Sequence, residues 1–128
     1  MDKFLYQKRN DDFFRMCEEF WQDKEAGTSV SQIAEAVASG QASSFYVTER
    51  AVRDILSAGR PTSKNHLTAR KQADIIEYAR KHEGAHDIIQ KIMHAKAPSF
   101  YLSPVTARDL YYSQLKSNQK RKCEKPYR

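Results

Sequence analysis

The chain of 128 residues is poor in helix breakers, with four glycines and four prolines. Long stretches are therefore free to be helical. It has two cysteines, Cys17 and Cys123, near opposite ends. That pair excludes an intramolecular disulfide scaffold or a four-cysteine zinc site and reads as two free thiols. No apolar run approaches the ~20 residues needed to cross a bilayer. Met1–Asp2–Lys3–Phe4 opens no signal-like stretch, so the expectation is a cytoplasmic protein with no membrane partner. Also missing are a Gly-rich phosphate loop, a Gly–x–Ser–x–Gly turn and long strand patterns. Without these frames for an α/β active site, the expectation is a protein with no catalytic residues and no cofactor.

What is present suits a globular chain: 40% hydrophobic and 30% charged residues. A chain of this size buries roughly 65% of its extended surface on folding, enough for one ordinary core. The formal charge of +6 is uneven. Residues 59–82 carry +4 and residues 116–128 carry +5, while the remaining segments are neutral or slightly acidic. Such patches attract polyanions through their summed field and through counterion release, and they also favour solubility.

Residues 30–56 laid over 85–111 without a gap give seven identities in 27 positions. They pair Ile33 with Ile88, Ala42 with Ala97, Ser44 with Ser99, Phe45 with Phe100, Tyr46 with Tyr101, Arg53 with Arg108 and Asp54 with Asp109. The physical signals fall in the same frame. In the first copy Ser29 caps a helix with Gln32 at its third position, and Val30, Ile33, Ala34 and Val37 form an apolar stripe before Ser39–Gly40. In the second, Ile88, Ile89, Ile92 and Met93 form the stripe. A further helix starts at Thr48 in one copy and at Ser103–Pro104 in the other, where a hydroxyl caps and proline supplies its fixed φ. Its inward residues are Ala51, Val52, Ile55 and Leu56, or Ala107, Leu110 and Tyr111. Upstream of each pair, residues 11–24 and 67–81 show helical apolar spacing.

The pattern predicts an all-α protein of two degenerate helical units, each a three-helix bundle. Residues 1–58 form the first, residues 59–115 the second, and 116–128 read as a frayed basic tail. Residues 57–63, with Gly59 and Pro61, are the linker. Phe45–Tyr46 and Phe100–Tyr101 lie in extended connections and are expected to close the bundles as core. The alternative, stacking on nucleobases, needs faces left in water. Arg53–Asp54 and Arg108–Asp109 are adjacent positions, which on a helix do not face each other.

Residues 29–56 resemble the helix-turn-helix family of DNA-binding modules: a short capped helix with Ile33–Ala34, a connection, and a second helix beginning Thr48–Glu49–Arg50. The resemblance implies that the second helix enters the major groove and reaches base edges. The connection from Ser39 to Val47 is nine residues, where the family uses a turn of three or four. Duplex DNA binding through tandem helix-turn-helix-like units is the leading functional expectation. Its candidate residues are Thr48, Arg50 and Arg53 on one reader, and Ser103 and Arg108 on the other. Arg60, Lys64, Arg70 and Lys71 supply the basic stretch, and Lys116, Lys120, Arg121 and Lys122 the tail. The alternative is a helical protein-interaction module, with Phe4, Phe13, Phe14, Phe20 and Trp21 supplying apolar surface.

His82–Glu83–Gly84–Ala85–His86 resembles the zincin metalloprotease motif over five residues. That resemblance implies His82 and His86 as zinc ligands and Glu83 as general base, a remote zinc-hydrolase alternative. Gly84 in its middle, charged flanks at Lys81 and Asp87 and no ligand at the usual downstream spacing point instead to a solvent-facing pair near a helix boundary. The expectation is therefore no bound metal.

Overall fold

The computed structural model describes residues 3–23 and 27–124, with side chains through residue 22 in the first stretch and through residue 117 in the second. These residues form six helices: α1 (Lys3–Asp23), α2 (Val30–Ala38), α3 (Glu49–Ala58), α4 (His66–Lys81), α5 (Ile88–His94) and α6 (Pro104–Glu124). The expected caps form. Ser29 and Gln32 make a reciprocal capping box, with bonds of 2.8 and 3.2 Å. Thr48 accepts from the Ala51 amide at 3.1 Å, and Ser103 accepts from Thr106 at 3.1 Å. Gly59 ends α3 at φ 70°, in the left-handed region that glycine enters without a Cβ penalty.

Two helices are longer than the periodicity predicted. The first begins near Lys3 rather than residue 11, because residues 3–10 contain no breaker and Leu5 extends the apolar stripe onto the core. At the other end, α6 runs to Glu124, so residues 116–124 of the basic segment are helical, and residues 125–128 lie outside the described residues. A helix anchored by Ala107 and Tyr111 propagates readily through Lys, Arg and Gln, since nucleation is already met.

The arrangement of the helices is an exchange. α2 packs on α6 and α1, and α1 on α6, while α3 packs on α5 and α4, and α4 on α5. Among the described residues α3 touches neither α1 nor α2, and α6 touches neither α4 nor α5. Each three-helix bundle is thus two helices from one sequence unit and the last helix from the other. The long connections make this possible, because they carry each last helix across to the opposite bundle as in a domain swap within one chain. Where they cross, Ala42 and Ala97 form a reciprocal antiparallel bridge, with N–H···O bonds of 2.8 and 3.0 Å. The identity of these residues in the two copies has a steric reason, since Ala42 is 1% exposed and Ala97 fully buried.

Around this bridge the two copies repeat each other's contacts. Phe45 stacks on Tyr101 at 6.5 Å and Phe100 on Tyr46 at 6.2 Å, each aromatic pair spanning the two connections. Ser99 Oγ donates to the Ala38 carbonyl, and Ser44 Oγ makes a longer contact with the equivalent Met93 carbonyl. Both Phe45 and Phe100 are buried, as the core reading requires. The equivalence is weaker earlier in the copies: Ile33 is buried, but Ile88 is only half-buried. α5 begins at Ile88 itself, so that residue occupies a first turn at the bundle's edge, whereas Ile33 lies inside α2.

Candidate functional site

The chemistry of the crossing begins with backbone strain. Tyr46 and Tyr101 both adopt left-handed conformations, at φ 55° and 57°, which non-glycine residues seldom do. The flanking serines compensate: the Tyr46 amide donates to Ser44 Oγ and the Tyr101 amide to Ser99 Oγ, both at 2.9 Å. The phenols are also fixed. Tyr46 donates to Asp12 Oδ2 at 2.7 Å and Tyr101 to Asp74 Oδ2 at 2.5 Å. Burial, with the neighbouring carboxylate, pushes both phenols above the ordinary tyrosine range.

Those hydrogen bonds identify Asp12 on α1 and Asp74 on α4 as counterparts. Their successors Phe13 and Ile75 are both core residues. Counting three residues back reaches Arg9 and Lys71, and six back reaches Tyr6 and Thr68. These four line a cavity of about 110 Å³ over the crossing. Its remaining walls come from Ser44, Phe45 and Tyr46 and their second-copy equivalents Ser99, Phe100 and Tyr101. The cavity therefore lies where the two copies meet and is lined by five counterpart pairs.

Its two cations face no carboxylate in that lining. Arg9 donates to Asn10 Oδ1 and lies over the Tyr6 ring at 4.6 Å. Lys71 Nζ makes a long contact, 3.5 Å, with the Tyr46 carbonyl. Among the described residues neither enters an ion pair. Burial, and secondarily the charge of Arg9, holds Lys71 at about 8, and burial also lowers Arg9. A second, more open pocket of about 320 Å³ adjoins the first through Tyr46, Thr68 and Lys71, and reaches Thr48, Asp54 and Ile55 on the α3 side.

The sequence-derived candidates divide by environment. Thr48 and Ser103 are half-buried N-caps, their hydroxyls engaged with backbone. Thr48 and Lys71 come together in the larger pocket. Arg53 is exposed and bonded to Glu49 at 3.1 Å, and Arg108 is exposed and paired with Asp109 at 3.5 Å. The latter departs from the expectation for adjacent positions, because the long arginine arm folds back to its neighbour. Arg50, Arg60, Lys64, Arg70 and Lys116 are exposed and enter no ion pair among the described residues. Lys120, Arg121 and Lys122 lie on α6, with side chains outside the described residues. Arg9, Tyr6 and Thr68 were not among the candidates. The signal that finds them is the spacing Arg–x–x–Asp–Phe against Lys–x–x–Asp–Ile, invisible in an alignment confined to 30–56 and 85–111.

The zincin-like segment takes the form of a turn. His82 is the C-cap of α4, Gly84 has φ 84° and Asp87 has φ 56° ahead of α5. His82 and His86 are thus exposed but not one helical turn apart. His82 Nδ1 lies 2.9 Å from the Tyr78 carbonyl, and its ring stacks on Tyr78 at 4.1 Å. Among the described residues no group of three His, Cys, Asp or Glu side chains is placed to hold a metal ion. No helix among them is long and apolar enough to cross a membrane. No protein family model, curated protein or solved structure matches this chain.

Proposed function

We propose that the protein binds duplex DNA, chiefly through its phosphates, with the two last helices α3 and α6 as paired readers. The observation that carries this reading is the set of exposed cations without ion pairs, Arg60, Lys64 and Arg70 on and before α4 and Lys116 on α6. Exposed unpaired cations are the groups that release counterions on meeting a phosphate backbone. The exchanged fold adds a reason for pairing: α3 and α6 are counterparts in opposite bundles, as the reading helices of a twofold dimer are. This differs from tandem helix-turn-helix units, in which each reader would pack on its own preceding helix.

A salt-dependent titration on random and on selected duplexes tests the proposal. If about six phosphates are neutralised, log affinity against log salt has a slope of about −5. Arg60→Ala, Lys64→Ala and Arg70→Ala should each flatten the slope by ~1 without changing the preferred sequence. Arg50→Ala should remove ~1–3 kcal/mol of discrimination if α3 contacts bases. Absence of binding to both pools at low salt rejects the reading.

A second reading, protein interaction, rests on apolar side chains exposed on α1 and α6. Phe4 is 75% exposed and Val105 58%, and a groove of about 480 Å³ between α1 and α2 is lined by Met16, Phe20 and Val37. Exposed apolar surface of this kind marks partner sites in other proteins. It gains first place if DNA binding is absent.

A further inference from the structure

The cavity over the crossing combines features that DNA binding by the outer surface does not use. It presents Arg9 and Lys71 from two different helices, and no carboxylate lines it. Charges withdrawn from water are costly unless paired, and a buried charge usually has a counter-charge or a ligand. Two like charges brought to one small cavity increase that need. Two exposed hydroxyl residues, Thr68 and Tyr6, also line it, and no bond within the described residues engages their hydroxyls, whereas Ser44 and Ser99 are committed to backbone. A volume of about 110 Å³ is several times the ~10–15 Å³ that a single water requires in the same measure, so it admits a tetrahedral oxyanion.

We infer that this cavity is a binding site for a compact oxyanion of the phosphate type, held between Arg9 and Lys71 with Thr68 and Tyr6 as additional donors. Guanidinium and ammonium differ in their use here. Arginine offers a planar fork to two oxygens, and lysine a point charge to a third. At neutral pH Lys71 remains mostly protonated even with its lowered pKa, so both charges are available. An anion bound there would tie α1 to α4, the first helices of the two sequence units, across the crossing of the two connections. Its effect is therefore to clamp the two bundles together.

The test is a titration of inorganic phosphate into the full chain at pH 7, with sodium chloride adjusted to constant ionic strength. The expected result is a saturable rise in Tm, since a ligand of the native state stabilises it by mass action. Lys71→Met and Arg9→Met should each weaken binding at least ~10-fold, the scale of one lost charge-assisted bond. Lys64→Ala, a change at an exposed cation, should leave it intact. A measurement on the unaltered chain guards against variants that fail to fold: phosphate should shift amide resonances of residues 6–9, 44–46, 68–71 and 99–101. A rise in Tm no larger than chloride produces, or shifts spread over Arg60 and Lys64 instead, overturns the assignment. So does undiminished binding by both folded Met variants. The source of the oxyanion is read separately. If saturating phosphate at fixed ionic strength weakens DNA affinity, the site takes a strand phosphate; if DNA affinity is unchanged, it takes a free ion. Phosphate binding is measured without DNA, so failure of the DNA reading leaves this result standing.

Discussion

The bundle of α1, α2 and α6 and the bundle of α3, α4 and α5 share one plan but are unequally built. The first has two helices of 21 residues, whereas the second's longest has 16 and its shortest, α5, has seven. α2 enters through a complete capping box, and α5 begins at a left-handed Asp87 with no side-chain cap. Phe13, Phe14 and Tyr111 thicken the first core, while the second relies on Val52, Ile75 and Ile92. Where the two meet, the inequality narrows: Ser–Phe–Tyr, its left-handed tyrosine and its aspartate partner occur twice. The crossing is the part whose geometry both bundles must satisfy. The outer turns of each bundle are free to differ because only their own neighbours constrain them.

The largest expected difference lies between the two phenylalanines of the crossing. Phe100 stacks on Tyr46 and also meets Phe13 edge-on at 5.4 Å, whereas Phe45 has the stack on Tyr101 as its aromatic contact. Phe100→Ala should destabilise by ~3–5 kcal/mol, and Phe45→Ala by less, since an aromatic pair adds ~0.5–1.5 kcal/mol beyond area burial. Urea denaturation of both variants measures the gap. Phe45→Ala proving the worse of the two would show that the second bundle, not the first, depends more on the crossing.

A smaller effect of opposite sign separates the two helix starts. Ser29→Ala removes the hydroxyl that accepts from the Gln32 amide, while the Ser29 amide can still donate to Gln32 Oε1, and should cost about 1 kcal/mol. Asp87→Gly removes no cap bond and relieves a left-handed backbone, so its stability should be unchanged or raised by up to ~1 kcal/mol. Thermal or urea unfolding decides. Equal losses at both positions would mean that Asp87 contributes to α5 through the helix dipole despite lacking a hydrogen bond.

Much of this molecule was legible in its sequence, and the illegible part has a common cause. Caps at Ser29, Thr48 and Ser103, the breaker at Gly59 and the buried Phe45 and Phe100 follow from local chemistry, which the chain displays residue by residue. The exchange of α3 and α6 does not. An apolar stripe such as Val52–Ile55–Leu56 states that a helix must be covered but not by which neighbour. The nine-residue connection was the available clue, being too long for a tight turn. The basic character of residues 59–82 marks Lys71 as a surface cation, yet α4 places it half-buried with its Nζ near the Tyr46 carbonyl. Arg9 is hidden by the slight acidity of its own segment. Net charge by segment counts charges but does not say which face of a helix carries them.

The smallest expected effect compares those two cations, one from each bundle, and it depends on pH. An unfolded lysine titrates near ~10.4, while Lys71 in the folded chain titrates at about 8. Below the lower value both states are protonated, and the folded state bears the full penalty of holding the cation out of water. Between the two values the unfolded chain binds more protons, so this group makes stability rise with pH. Above the upper value both states are neutral and the penalty is gone. Lys71→Met, which keeps the length and removes the charge, should therefore stabilise most below pH 8 and lose that advantage as pH approaches 10.4. The side chain is only half-buried, so solvent screening reduces the size of the effect. The groups facing it are Arg9 from α1, Asp54 and Thr48 from the α3 side and the Tyr46 carbonyl. Of these, the Arg9 guanidinium stays charged throughout. Arg9→Met supplies the comparison: it removes only the secondary cause of the Lys71 shift, so its stability change should vary with pH in the same direction as that of Lys71→Met but less steeply. The raised phenols and the buried Cys17 thiol, pushed up to about 12, also titrate in alkali, but they are common to all three chains and cancel in the differences. Urea midpoints in phosphate-free buffers at several pH values give the two curves. If the Lys71→Met difference is flat from ~pH 7 to 9, Lys71 titrates like a solvated lysine, and the cavity does not withdraw it from water.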